Sequence, residues 1–243
     1  MPEALFWGLA ASSSLMVGAL IAMYVRVGTH PLAWIMAFGA GVLISAVAFD
    51  LTEDAYTLGG GGAVAAGLVG GALVFFFADR AIDRHATSSR KRPSGPGVDH
   101  SASAVALGAA LDGVPESAVI GLSLLDGHGG VSVAIIAAVF ISNLPESLSS
   151  SVGFLKAGYS RAWVVRLWAS VMLVSGLAAA IGYGALGGAS GEVIAVTQSF
   201  AAGALLAMLA DSMMPQAFED GGNVVGVATV LGFASAFLFS TAQ

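Results

Sequence analysis

Two acidic motifs, thirty positions apart in a strongly apolar stretch of the chain, could hold a cation. They are Asp112-Gly-Val-Pro-Glu116-Ser and Ser142-Asn-Leu-Pro-Glu146-Ser. Asp112 and Glu116 are four residues apart, so a helix presents both carboxyl groups on one face, and Ser142 and Glu146 repeat that spacing. An ionised acid in the middle of a membrane helix opposes insertion by about 2.5–3.5 kcal/mol, and three bare acids by roughly 8–10 kcal/mol. Because no Lys, Arg or His lies at this depth, the neutralising agent is protonation, internal water or a bound metal ion.

A proline in each motif adds to the polar character of the site. Pro115 and Pro145 lack an N–H, so the carbonyl groups of Leu111 and Ile141 lose their helical partners. Such interruptions are tolerated in membrane helices that line a cavity. We therefore expect these carbonyl oxygens to offer ligand or water positions beside the carboxylates.

The elements that position these motifs are predicted to be membrane helices. The 243 residues are 57% hydrophobic and only 10% charged, whereas soluble domains carry about 25% charged residues. The mean hydropathy is +0.87. The absence of cysteine excludes disulfides and thiolate metal sites. We predict an all-α polytopic membrane protein in which residues 1–243 form a single transmembrane transporter domain.

Eight apolar stretches are long enough to cross a bilayer, which takes about 20 residues. Their runs are continuous rather than alternating, which argues against a β-barrel. Residues 80–100 are predicted to form a loop, since they are charged and rich in Pro, Gly and Ser. The predicted spans are 4–25, 32–50, 61–79, 101–125, 130–154, 163–187, 193–214 and 222–241.

The distribution of charge predicts the orientation of these spans. Basic residues are enriched in cytoplasmic loops, and here they cluster at alternate connections, while the other connections hold only acids or no charge. The chain is therefore expected in a bacterial-type cytoplasmic (inner) membrane with both termini outside. The basic run 90–92 is explained in the same way, as part of a cytoplasmic loop rather than as a segment that binds nucleic acid. The basic residues are Arg26, Arg80, Arg84, Arg90, Lys91, Arg92, Lys156, Arg161 and Arg166.

A second repeated pattern connects the two halves of the chain. Phe38-Gly-Ala-Gly41 in the second span resembles Phe200-Ala-Ala-Gly203 in the seventh, and an acid follows each. With eight spans these helices run in opposite directions, as inverted repeats do in transporters. The pattern predicts a 3+2+3 inverted-repeat bundle.

These features together resemble the ZIP (zinc- and iron-regulated transporter-like) metal transporter family. In that family the fourth span typically carries His-Asn-x-Pro-Glu-Gly and the fifth His-Glu-x-Pro-Glu-Gly. The resemblance covers the Pro-Glu pairs, the eight spans, the long cytoplasmic loop and the Phe-x-x-Gly openings. This chain lacks both motif histidines.

The resemblance implies a metal site in the fourth and fifth spans. Asp112 stands at the position of the first ligand histidine and Ser142 at that of the fifth-span histidine, whereas Glu116 and Glu146 keep the two glutamates. Asn143 stands at an acidic position of the family motif.

Gly113 occupies the family's asparagine position, and the sixth span holds no acid for a second metal position. We therefore expect one metal site made mainly by the three acids, with Ser142 and Asn143 as neutral ligands. From the resemblance, Zn²⁺ is the first metal that we expect the protein to transport. A site without imidazole also suits harder ions such as Mn²⁺, Mg²⁺ or Fe²⁺.

Three further acids are weaker candidates for metal binding. Asp50 and Asp54 follow the second span on the outer side and are interpreted either as a metal-attracting entrance or as a solvated helix end. Asp211, near the inner end of the seventh span, could assist release of the ion.

The sequence thus predicts a transporter that moves a divalent cation (Zn²⁺ or a similar ion) toward the cytoplasm. The alternative is a metal-independent membrane protein or proton-relay transporter whose buried acids brace the bundle. We expect no enzyme activity and no cofactor, because neither a His-Glu-x-x-His motif nor a membrane-embedded base is present. The expected partners are the ion, membrane lipid and a second copy of the chain in a homodimer, and not nucleic acid.

Overall fold

The computed structural model describes residues 1–90, 113, 116, 117, 119–124 and 133–240, and the regular structure in these ranges is entirely helical. Two short π-helical segments, π1 and π2, interrupt the α-helices. We call the helical residues 113, 116, 117 and 119–123 helix α4. The other elements are α1 Pro2–Tyr24, α2 Thr29–Ser45, π1 Ala46–Thr52, α3 Glu53–Arg90, α5 Val133–Lys156, α6 Arg161–Leu186, α7 Gly191–Met208, π2 Leu209–Met213, α8 Met214–Gly221 and α9 Val224–Ser240.

Five helical stretches within the described ranges are long and apolar enough to cross a membrane. Helix α9, with 17 residues, is slightly shorter. This all-helical, apolar architecture is that of an integral membrane protein and agrees with the predicted fold class. The five stretches are Pro2–Tyr24, Thr29–Ala81, Ile135–Lys156, Arg161–Leu186 and Gly191–Gly221.

The stretch Thr29–Ala81 is too long for one crossing and is interrupted at Gly60. This residue has φ 71° and ψ 177°, a conformation essentially restricted to glycine. Gly222, with φ 62°, ends α8 in the same manner before α9 begins. Each of these glycines follows the last glycine of a Phe-x-x-Gly motif, Gly41 or Gly203, by nineteen residues.

The second and seventh helices extend farther than their sequence predicts. Their spans were expected to end at residues 50 and 214, but the chain stays helical through π1 to the break at Gly60 and through π2 and α8 to Gly221. The acids near these predicted ends make the sequence polar there, and a helix can continue through polar residues outside the hydrocarbon core of a membrane. Helix α3 likewise continues to Arg90, so the region predicted as a loop from residue 80 begins as helix. Residues 91–100 lie outside the described ranges.

Helices α2 and α9 pack with their backbones in close contact. A Cβ atom on Gly41 would collide with the carbonyl group of Thr229, and one on Gly232 would collide with the carbonyl group of Phe38. Small residues allow this approach, which strengthens dispersion contacts between membrane helices.

Helices α7 and α3 pack in an equivalent way. A Cβ atom on Gly203 would collide with the carbonyl group of Leu68, and one on Gly71 with that of Phe200. The Phe-x-x-Gly motifs of α2 and α7 therefore make the same kind of contact, each with the helix that follows the other motif.

The packing divides the helices into two groups. The α1 group contains α1, α4, α5 and α6, in which α1 contacts α5 and α6 and Gly121 of α4 lies against the backbone of Ala179 in α6. The α2 group contains α2, π1, α3, α7, π2, α8 and α9. Helix α4 also shares an apolar cluster with α2 and α7, and in the described residues the groups make an extensive contact where α2 crosses α5. There Gly39 lies against the backbone of Ile141 and Ser142, which places the second acidic motif at the junction.

Candidate metal site

The centre of the candidate site is a buried carboxylate on α4. Glu116 has an ionisable side chain and is nevertheless only 1% exposed. Its Oε1 atom accepts a hydrogen bond from the Ser142 hydroxyl of α5 at 3.2 Å. That hydroxyl also lies 3.0 Å from the carbonyl oxygen of Val139, and its one proton serves one acceptor at a time. The two acidic motifs, thirty residues apart in sequence, are thus in direct contact.

Helix α5 carries the second acid on the same face as this contact. Ser142 and Glu146 are separated by four residues of continuous helix, so their side chains lie about one turn apart. Glu146 is half-buried, and Asn143 is buried at 3% exposure beside it in sequence. Four of the five expected ligands therefore belong to a short part of α4 and α5.

Asp112, the fifth expected ligand, lies outside the described residues, so its position relative to Glu116 stays a prediction. Among the residues that the structure covers, no three His, Cys, Asp or Glu side chains come together closely enough to hold a metal. The described part of the site supplies two carboxylates, a hydroxyl and an amide.

The proline of α5 does not end its helix. The helix continues through Pro145, which is buried, and the carbonyl oxygen of Ile141 lies 3.2 Å from the position of an ideal Cβ on Gly39. The carbonyl that Pro145 leaves without its helical partner thus faces the glycine surface of α2. This arrangement brings the backbones of α2 and α5 together beside the carboxylates.

The outer acids Asp50 and Asp54 are both half-buried. Asp50 lies in π1 and accepts a hydrogen bond from the Ser240 hydroxyl at 3.0 Å, so it connects π1 with the end of α9. Glu53 and Asp54 lie in the first turn of α3. Within the described ranges these acids do not form a metal-binding group, and an entrance role for Asp50 and Asp54 stays a prediction.

Asp211, the inner candidate, is exposed and lies in π2. A π-helical turn is rare and often occurs at functional sites. Asp50 and Asp211 each lie in such a turn, beginning five residues after Gly41 and six after Gly203. The contribution of Asp211 to release stays a prediction.

Two buried polar side chains in the seventh helix were not predicted from the sequence. Gln198 and Ser199 of α7 are both 0% exposed. Polar residues inside an apolar stretch of sequence are also the signal by which the acidic motifs were found. Because neither residue is charged, this signal is weaker.

Two further side-chain contacts could not be derived from the sequence. The Gln216 amide of α8 donates to the Ser149 hydroxyl of α5 at 3.1 Å. Trp168 is fully buried and donates to the Ser151 hydroxyl at 2.8 Å, so it braces α6 against α5.

The donor set determines what chemistry this arrangement supports. Ionised carboxylates, hydroxyls and amide oxygens are hard donors, which suit Mg²⁺, Ca²⁺ and Mn²⁺, and carboxylates also bind Zn²⁺ at about 2.0–2.2 Å. Because Glu116 is buried, ionisation of its carboxyl group is costly unless the charge is compensated, and a bound cation or a proton would compensate it.

No protein-family model and no curated protein sequence matches this chain. The resemblance to ZIP transporters therefore depends on the sequence alone and stays a prediction.

Proposed function

We propose that this protein is a ZIP-like transporter of divalent metal cations, with a carboxylate site between the fourth and fifth membrane helices. The observation that supports the proposal best is the contact between Glu116, 1% exposed, and Ser142 on the neighbouring helix. It joins the two acidic motifs in the interior of an apolar bundle, where an acid without a partner cation or proton would be strongly unfavourable.

The architecture supports the same proposal. We infer eight spans arranged as a 3+2+3 inverted repeat, because α2 packs on α9 as α7 packs on α3, with glycine against backbone in both pairs. Gly60 and Gly222 occupy matching positions at the ends of the two long helices. In inverted-repeat transporters the substrate site lies between the repeats, near the middle of the membrane.

The proposed mechanism uses the division into two groups. The ion exchanges part of its water shell for the oxygens of Asp112, Glu116 and Glu146, with Ser142 and Asn143 as neutral donors. Movement of the α1 group against the α2 group then changes the side from which the site is reached, and the resemblance implies transport toward the cytoplasm. Zinc remains the first candidate by resemblance, and the oxygen-rich donor set extends the range to Mn²⁺ and Fe²⁺.

Uptake by vesicles containing the purified protein tests this function. We expect saturable uptake of Zn²⁺ or Mn²⁺, reduced at least about a hundredfold by Glu116→Gln together with Glu146→Gln, since two ligand charges are lost. Glu192→Gln is the matched control, because Glu192 is exposed in the first turn of α7. Unchanged saturable uptake in the double variant would rule out the proposed site.

A second candidate is a metal-independent protein in which the acids brace the bundle or relay protons. The hydrogen bond between Ser142 and Glu116 favours it, because a protonated Glu116 makes such a bond without any metal. This alternative predicts that the double variant changes thermal stability or proton flux, while metal fluxes stay at the background of empty vesicles.

A further inference from the structure

A side-chain hydrogen bond joins the two groups of helices beside the candidate site. Gln216 of α8 belongs to the α2 group and donates to Ser149 of α5, in the α1 group, at 3.1 Å. By contrast, the bond between Trp168 and Ser151 lies within the α1 group, and the bond between Asp50 and Ser240 lies within the α2 group.

This bond lies next to Glu146 along α5. Ser142, Glu146 and Ser149 are spaced at i, i+4 and i+7, so they share one face of the continuous helix. Ser149 is about one turn from Glu146 in the direction of Lys156, the end that the charge pattern assigns to the cytoplasm. An ion that leaves Glu146 along this face therefore meets the Ser149–Gln216 contact.

The C-terminal end of helix α8 is bonded to helix α2. The Trp34 indole of α2 donates to the carbonyl oxygen of Gly221, the last residue of α8, at 3.2 Å. Gln216 consequently follows α2 when the groups move, and Ser149 follows α5. Relative movement of the groups stretches the bond between them.

We propose that the Ser149–Gln216 hydrogen bond is a latch, which holds the groups together on the inner side of Glu146 and opens during each transport cycle. The inference rests on the proposed transport function and identifies two residues that control it. Because the bond is exposed, water replaces it readily. It therefore biases the balance between two conformations by only about two- to tenfold.

Cross-linking of the latch tests the proposal in the full-length protein. The chain contains no cysteine, so Ser149→Cys with Gln216→Cys introduces the only two thiols. We expect a short bifunctional methanethiosulfonate reagent to reduce Zn²⁺ or Mn²⁺ uptake by vesicles at least about tenfold, and a reductant to restore it. Each single-cysteine variant, treated in the same way, is the control and should lose less than about twofold.

Alanine variants provide a second test that is independent of cross-linking. We expect Ser149→Ala and Gln216→Ala each to change the rate at saturating metal by about two- to tenfold, and the double variant to change it no more than either alone. Ser235→Ala is the matched control, because the Ser235 hydroxyl donates to the Leu231 carbonyl oxygen of its own helix.

The outcomes separate the latch from the proposed function. Wild-type uptake that depends on Glu116 and Glu146, but is unaffected by efficient cross-linking, would overturn the latch and leave the transport function standing. Additive or absent effects of the alanine variants would also overturn it. Failure of the wild-type protein to move either metal would overturn both.

Discussion

Ser142 is the residue at which the two acidic motifs meet, and it makes a polar contact inside an apolar bundle. Ser142 is 2% exposed, and its hydroxyl bonds to the Glu116 carboxylate, which is itself almost fully buried. A hydrogen bond to a charged group contributes more than one between neutral groups. The Ser142 hydroxyl therefore helps to fix the orientation of the proposed ligand.

Replacement of Ser142 by alanine should weaken cation binding at the proposed site. The variant loses a neutral oxygen donor and a hydrogen bond to a carboxylate, worth about 1.5–3 kcal/mol, so we expect the KM for metal uptake to rise roughly tenfold or more. Initial uptake rates measured across a range of metal concentrations provide the test. Ser170→Ala, which removes only a bond to the helix's own backbone, is the control, and an unchanged KM for Ser142→Ala would contradict the prediction.

At the scale of the helices, glycine determines which pairs can pack closely. The described helices include glycines in backbone contact with another helix, as at Gly41 and Gly71, and glycines such as Gly226 with open space around them. Sequence alone does not distinguish the two kinds, because all lie in apolar runs. The distinction depends on which helix lies opposite, which is a property of the assembled bundle.

Gly232→Ala should destabilise the bundle, whereas Gly226→Ala on the same helix should not. A methyl group on Gly232 would collide with the Phe38 carbonyl group, while one at Gly226 meets no atom within 4 Å. Overpacking of this kind costs about 1–3 kcal/mol. Thermal unfolding in detergent should show a Tm lowered by several degrees for Gly232→Ala alone, and equal Tm values for the two variants would show that α2 and α9 do not pack in this way.

At the scale of the whole molecule, the charge pattern and the helix connections predict one orientation in the membrane. The connection between α5 and α6 lies next to Lys156 and Arg161, whereas the connection between α6 and α7 contains no basic residue. The positive-inside rule assigns the first to the cytoplasm and the second to the outside.

Thiol labelling of intact cells tests this orientation, because the chain has no cysteine of its own. We expect Gly188→Cys, between α6 and α7, to react with a membrane-impermeant maleimide, and Ala157→Cys, between α5 and α6, to react only after the cells are opened. Both positions are exposed. Labelling at Ala157→Cys in intact cells, with protection at Gly188→Cys, would show that the orientation is reversed.

The helical architecture could be predicted from the sequence, but the extent of the second and seventh helices could not. The apolar runs are long and continuous, so the positions of the helices follow from hydropathy. The predicted spans end at residues 50 and 214, but the helices do not end there. Instead, π1 and π2 carry the chain past Asp50 and Asp211 without a break.

The candidate site was predictable only in part. The spacing of Asp112, Glu116 and Glu146 predicts a cation site, and the contact between Glu116 and Ser142 agrees with the inferred pairing of the motifs. The burial of Trp168 against Ser151 could not be predicted, because it joins two different helices. Because neutral polar residues carry no charge, the sequence does not reveal whether they face lipid or another helix.

The sequence by itself determined that this protein is helical and apolar and that it carries paired carboxylates where charge is costly. These properties depend on residue type and on spacing along one helix, which local chemistry controls. Only the tertiary structure decided that Ser142 meets Glu116, that α2 packs on α9 as α7 packs on α3, and that Gln216 reaches Ser149. Such contacts join residues distant in the chain and depend on the shapes of packed surfaces, which no single helix contains.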